Sequence, residues 1–348
     1  MKKSLIALAV MAASGAAMAQ SSVTLFGVVD TGVTYVNGED NWSGLTSGNN
    51  STSRIGFRGV EDLGGGLKAN FWLEAGINTD AGDGNSGGAS GSGLEFKRRS
   101  TIGLEGGFGE VRLGRELTAA YNAVSRYDVF GTVGVAQSRI WGQGGNQIRI
   151  NNMISYYSPN FSGFKAAVNY GFGEVTDPVT GEHSHRDARY VGGSLTYDNG
   201  PLSVGFGAES LNRASVVGQD ITAYGIGASY NFGVVKLSGA YRTQENEFFG
   251  GGKIDRDAYM IGLSAPVGAA GEVKVSYNRY ETERPGLSDS KADQFGLGYV
   301  HSLSKRTAVY GTYAYIKNKN GGNITLGNGG LKDGEKQHAI QAGIRHAF

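Results

Sequence analysis

Cysteine is absent from the 348 residues, which excludes disulfides, a thiol nucleophile and cysteine-ligated metal. Proline occurs only 5 times, too rarely for polyproline linkers or collagen. Basic charge is not in excess: 32 Lys and Arg stand against 31 Asp and Glu. The electrostatic footprint of a nucleic-acid binder is therefore missing. The zincin signature H-E-x-x-H is missing as well. Asp80-Ala-Gly-Asp-Gly-Asn85 is acidic and glycine-rich but lacks calcium-loop spacing. His183-Ser-His185 lies in a polar stretch, where solvated histidines account for it better than a metal pair. The expectation is a protein that is not an enzyme and needs no cofactor.

Long apolar runs are also scarce. The main one, Leu5 to Ala13, follows Met1-Lys2-Lys3 and precedes Ala17-Met18-Ala19. A positive start, a short apolar core and an A-x-A site predict a signal peptide over residues 1–19. A transmembrane helix would need about 20 apolar residues, and Ser14 and Gly15 interrupt this run. The mature chain, residues 20–348, shows no compositional break and is expected to form a single domain.

What the chain has in abundance is glycine, at 59 residues, and aromatics, with 18 Tyr, 15 Phe and 3 Trp. They occur in short segments of strict alternation. In 164–172, Phe164, Ala166, Val168, Tyr170 and Phe172 oppose Lys165, Ala167, Asn169 and Gly171. In 235–242, Val235, Leu237, Gly239 and Tyr241 oppose Lys236, Ser238, Ala240 and Arg242. Period two with one wet face predicts β-strands. About sixteen such segments run from 22–36 to 336–348, with no comparable amphipathic helix. Tight turns, as at Asp198-Asn199-Gly200, alternate with long polar loops, as at 37–51, 78–94, 174–187 and 317–335.

Short turns at one end, long loops at the other and an even strand count predict an all-β fold: a 16-stranded antiparallel transmembrane β-barrel. Aromatics near strand ends, including Tyr156, Tyr157, Tyr170, Tyr230, Tyr310, Tyr313 and Tyr315, fit interfacial girdles. Strand charges should then face a wet lumen. With Ile55, Phe57, Ile102 and Leu104 toward lipid, Arg54, Arg58, Lys97, Arg99 and Glu105 fall on the lumen side. A shift by one residue would exchange the faces, so Ile55→Lys should be far costlier than Arg54→Gln.

One stretch breaks the alternation. Residues 116–148, between Arg115 and Arg149, hold Tyr121, Tyr127, Phe130, Ile140 and Trp141. A loop this long is usually functional or disordered, and its aromatic content argues for packing rather than disorder.

Several motifs, in order, resemble the general porins of Gram-negative outer membranes, in particular the betaproteobacterial branch. They are Ser22-Val-Thr-Leu-Phe-Gly-Val-Val-Asp30, Ser53-Arg-Ile-Gly-Phe-Arg-Gly-Val-Glu-Asp-Leu-Gly64, Thr101-Ile-Gly-Leu-Glu-Gly-Gly-Phe-Gly-Glu-Val-Arg-Leu-Gly-Arg115 and Tyr156-Tyr-Ser-Pro-Asn-Phe-Ser-Gly163. Terminal Phe348 resembles the signal read by the outer-membrane insertion machinery. The resemblance implies a homotrimer among outer-membrane lipid and lipopolysaccharide, passing small hydrophilic solutes and ions by passive diffusion. It also implies an inward-folded constriction loop, at about 116–148, whose carboxylates face wall arginines. By position Arg54 and Arg99 resemble wall members, Arg115 stands at the loop start, Arg149 is on the next strand, and Asp128 resembles the loop carboxylate. No second acid follows Asp128 before Arg149, and Arg126 and Arg139 add positive charge. A weak anion preference is the expectation; the alternative is a channel specific for an anion or a sugar, with Tyr121, Tyr127 and Trp141 lining the passage.

Overall fold

A computed structural model describes residues 22–348 except 39–40, 86–92, 142–147, 174, 177–182, 185–187, 213–217, 249–250 and 328–335. Residues 1–19, read as the signal peptide, and His185 lie outside the described residues. Sixteen strands form the wall. In chain order, β1 to β8 are Ser22–Asn37, Arg54–Gly64, Leu67–Asn78, Arg99–Gly106, Gly109–Leu117, Arg149–Tyr157, Phe164–Gly171 and Tyr190–Asn199. β9 to β16 are Leu202–Leu211, Gln219–Asn231, Lys236–Phe248, Lys253–Val267, Gly271–Glu283, Ser290–Ser302, Thr307–Lys319 and Lys336–Ala347. Each pairs antiparallel with the next, and a short strand, Trp42–Ser47, adds to β1 above its pairing with β2.

Closure comes from β16, which pairs with β1 from Val28↔Ala347 to Asn37↔His338. Phe348 extends that ladder by exchanging two backbone hydrogen bonds with Gly27, both 3.1 Å. A closed barrel leaves no wall edge unpaired, as the apolar bilayer core demands.

Register carries one parity all the way round. Leu237, Leu263, Val275 and Leu297 share the outer face, whereas Ser238, Gly262, Ser276 and Gly296 share the inner one. Outer apolar residues are exposed and inner polar ones buried, as in the Asn278–Gln294 pair. Above the outer aromatics Tyr241, Tyr259 and Tyr277, the same face turns charged: Arg279 pairs with Glu281 at 2.8 Å and Lys319 with Asp293 at 3.1 Å. Such a row marks the upper limit of the hydrocarbon band. Ile261 lies on the outer face in the middle of β12. Ile261→Lys is expected to cost about 2–4 kcal/mol in bilayer refolding titrations, while Met260→Gln, on the wet face, should cost less than half as much.

Three expectations need correction. Tyr310 is no girdle residue: it pairs with Gly343 on the inner face, and its hydroxyl donates to Asp30. Tyr157 likewise faces inward, opposite Ala167. Lys97 precedes β4 and pairs with Glu95. For the two tyrosines proximity to a strand end suggested a position that parity overrules; for Lys97 the alternation was extended past the start of the strand.

Candidate channel constriction

The inner wall opposite β1 to β6 has unusually little side chain. Gly205, Gly207, Gly225, Gly227, Gly262, Gly296 and Gly298 occupy inner positions of β9, β10, β12 and β14. They form a shallow channel into which the loop is pressed. A Cβ on Gly205 would come 2.3 Å from the Ala123 carbonyl oxygen, and one on Gly207 2.7 Å from Ala120 Cα. Gly227 meets the Tyr127 ring, Gly262 meets Val129, and Gly298 meets Phe130.

The loop begins at Thr118, which accepts a hydrogen bond from Tyr121 N at 3.2 Å and caps a short helix, α1, Ala119–Ser125. No helix was expected inside the loop. Its signal is local: a Thr cap followed by Ala-Ala and small apolar residues. Past α1, Tyr127, Phe130, Val135, Ala136, Ile140 and Trp141 are buried against the wall. Wall side chains satisfy the loop backbone: Val135 N donates to Gln341 at 3.0 Å, Arg139 N to Tyr280 at 2.8 Å, and Gln294 donates to Gln137 O at 3.0 Å. Arg242, ion-paired to Glu209 at 3.0 Å, lies 4.4 Å from the Trp141 ring centre.

Asp128 does not face the wall arginines. Its carboxylate accepts from Phe130 N at 3.0 Å, Thr132 N at 2.9 Å and Ser138 N at 2.8 Å, which ties the loop to itself. Burial pushes this carboxyl up, against the pull of those three donors and of Lys274. The turn it staples carries positive φ at Gly131 and Thr132, +68° and +60°. Three N–H donors on two oxygens consume the charge inside the loop. Asp128 is thus a structural staple, and the loop presents no free acid to the passage.

Across the passage stand the arginines. Arg54 is on the inner face of β2, within electrostatic reach of Glu74, Arg98 and Arg345. Arg99, inner face of β4, lies 4.6 Å from the Trp72 ring centre and 3.9 Å from Glu116. Arg149 starts β6, donates to Arg98 O at 2.8 Å, and is within electrostatic reach of Arg98, Tyr121, Glu74 and Arg115. These three lie on one stretch of the wall, linked through Arg98 and Glu74 or through Glu116 and Trp72.

Three other expectations are corrected. Arg115 pairs with Ser100 on the parity of Ile102 and Leu113, so it points out of the barrel and binds Lys97 O and Asn151 Oδ1, each at 2.6 Å. Arg126 pairs with Asp198 at the β8–β9 turn and donates to Ser203 at 2.6 Å, so it fastens the loop's lower elbow. Arg139 sits at the loop's opposite edge from that wall, against Tyr280 of β13, where burial lowers the guanidinium pKa.

Sequence reasoning missed Arg98, Arg112, Glu74 and Glu116. Arg112 forms a two-bond fork on Glu110, at 2.7 and 2.6 Å, and reaches Glu116 at 3.1 Å. Arg98 holds Glu74 at 2.6 Å. Parity from Leu113 would have found Arg112 and Glu116, since residues 112, 114 and 116 share the inner face. Arg98 precedes β4, where parity does not yet apply.

Arg54, Arg98, Arg99, Arg112 and Arg149 therefore share this stretch of wall with Glu74, Glu110 and Glu116. Arg54 and Arg149 make no ion pair among the described residues.

A closed membrane barrel narrowed by an inward loop and lined by such charges defines a channel protein of the outer membrane. The chain belongs to the Gram-negative porin family, whose model matches residues 5–321. It is 51% identical over 364 residues to outer membrane porin protein 32 of Delftia acidovorans, covering 100% of both chains. It is 35% identical to an outer membrane porin protein of Bordetella pertussis, again over 100% of each. Among solved structures, an anion-selective porin from Comamonas acidovorans superposes with a TM-score of 0.85 at 46% identity, over 94% of this chain and 100% of that one. This chain is an outer-membrane porin, a passive channel for small hydrophilic solutes and ions.

Proposed function

We propose that this porin prefers anions. The observation that carries the reading is the pair Arg54 and Arg149, which make no ion pair among the described residues, opposite a loop whose one acid, Asp128, is spent on its own backbone. Fixed positive charge at a narrowing lowers the energy of a passing anion and raises that of a cation. The anion-selective porin from Comamonas acidovorans supports the same reading. The reading includes the homotrimer implied by the family.

The aromatic residues that a sugar-specific passage would display are occupied. Tyr127 is buried against Gly227, and Trp141 packs on Arg242 and edge-on to Tyr121. General diffusion is therefore favoured over a sugar-specific channel. In planar bilayers under a potassium chloride gradient, the zero-current potential should have the sign of chloride permeation. A potential of the opposite sign would overturn the reading.

A further inference from the structure

Between the short strand Trp42–Ser47 and β2 the wall is interrupted. Both segments pair with β1, from Val36↔Trp42 to Thr31↔Ser47 and from Val28↔Arg54 to Ser22↔Val60, so they are two pieces of one wall strand. Residues 48–53, which directly precede Arg54, leave that line as an excursion onto the inner face. There the Asn49 side chain lies against Gly32 of β1 and bonds Gln341 of β16, both inner positions.

The excursion is held from beneath. The buried Asp30 carboxylate accepts from Asn50 N at 2.7 Å, from Ser51 N at 2.6 Å and from the Tyr310 hydroxyl. Asp30 O accepts from Gly48 N at 2.9 Å and from Ser53 Oγ at 3.0 Å, and Gly48, with φ of +73°, turns the chain inward. What the excursion presents to the lumen is Asn49. Its Oδ1 accepts from Gln341 Nε2 at 2.8 Å, while Gln341 Oε1 accepts from Val135 N of the constriction loop at 3.0 Å. A Cβ on Gly134 would come 2.3 Å from the Asn49 carbonyl oxygen, so the loop rests directly on the excursion.

Asp128 ties the loop to itself and to nothing else, so its position in the lumen depends on outside contacts. Arg126 fixes the lower elbow, and Gln294 of β14 holds Gln137 O from the wall behind. Toward β1 the loop meets residues 48–53 and Gln341. We infer that these residues are a second element of the constriction, an abutment that fixes where the Gly134–Val135 turn stands, with Asn49 and Gln341 as positioning residues for permeation. A buried N–H that loses its acceptor is costly. Without Gln341 the chain gains by turning Val135 N toward lumen water, and a turn displaced that way obstructs the passage. The excursion can serve as a stop because Asp30 binds two of its successive N–H groups, leaving its backbone little freedom to yield.

The test is single-channel recording of the mature protein in planar bilayers at fixed voltage in potassium chloride. In Gln341→Leu the ratio of time in reduced-conductance states to time fully open should rise roughly tenfold or more, as for a buried donor left without its acceptor. Asn49→Ala should act in the same direction, and because it lies outside the wall ladders it carries the test even if Gln341→Leu fails to fold. The two act through one chain of bonds, so the double variant should close no more often than Gln341→Leu alone. A purely structural role would lower the melting temperature and leave the current of folded channels unaltered. Wild-type closure in both single variants, or additive effects of the two, would overturn the inference. The zero-current potential should stay at its wild-type value in all three variants, since no charge is altered. A cation-preferring wild type would refute the selectivity reading and leave the abutment standing.

Discussion

The double variant Arg54→Ser, Arg99→Ser is expected to lose most of the chloride preference while keeping an open channel. Arg54 makes no ion pair among the described residues, and Glu74, within its electrostatic reach, is already held by Arg98 at 2.6 Å. Arg99 shares Glu116 with Arg112, which stays bonded to that acid at 3.1 Å when Arg99 is removed. Removing both therefore subtracts two positive charges without setting a buried anion free. A unit charge about 7 Å from a passing ion contributes roughly 0.6 kcal/mol in bulk water and about twice that at half its dielectric constant. Two such charges change the permeation of the anion alone by roughly 7- to 55-fold, and their opposite effect on a cation roughly squares that factor in the permeability ratio before salt screening. The measurement is the zero-current potential under a salt gradient, which should move most of the way toward zero. An unchanged potential in this variant would show that the preference arises elsewhere in the lumen. High ionic strength should shrink the difference between wild type and variant, because salt screens exposed charges.

Gly207→Val should act on the passage by a different route, through the loop. A Cβ at this position would lie 2.7 Å from Ala120 Cα and 2.8 Å from its carbonyl oxygen, both backbone atoms of α1 that no rotamer change can withdraw. The helix must move off the wall, and the free direction is the lumen. Overpacking of this kind costs about 1–3 kcal/mol, and single-channel conductance should fall as α1 intrudes. Gly311→Val is the control. Gly311 pairs with Tyr299 on the outer face, and its nearest neighbour would be 4.0 Å from the added Cβ. It should leave conductance as in the wild type. Equal conductance in Gly207→Val and wild type would mean that the loop does not depend on this close approach.

These two variants separate what kinds of residue the constriction uses. Charge at the arginine wall acts on the permeating ion directly, whereas the inner glycines act through the position of the loop. The glycines of β9, β10 and β14 are the least conspicuous residues of the site in sequence, where they read as ordinary small residues in strands. Their role emerges only when α1 is seen against them.

Much of this protein was legible in its residues because a membrane barrel imposes a local rule. Alternation with period two fixes which face each side chain takes, and the bilayer penalises every violation, so the sixteen strands, the inner placement of Arg54 and Arg99 and the outer face of β16 follow from a few residues at a time. The same rule, counted on from Leu113, turns Arg115 outward and Glu116 inward. Where the rule lapses, reading by position failed. Arg98 lies just outside a strand, and residues 118–148 have no period to follow.

The fate of the loop was decided by tertiary structure alone. That its one carboxylate, Asp128, is taken up by three N–H groups of its own turn depends on a backbone path that no spacing in the sequence displays. That Arg126 fastens the loop to Asp198, and that Gln341 meets both Asn49 and Val135, depends on contacts spanning tens to more than a hundred residues. Strand faces are set by neighbours two residues away, and so the sequence by itself determined the barrel and the inner placement of Arg54 and Arg99. The charge presented by the opposite side of the passage is set by which distant groups meet, and that the folded chain decided.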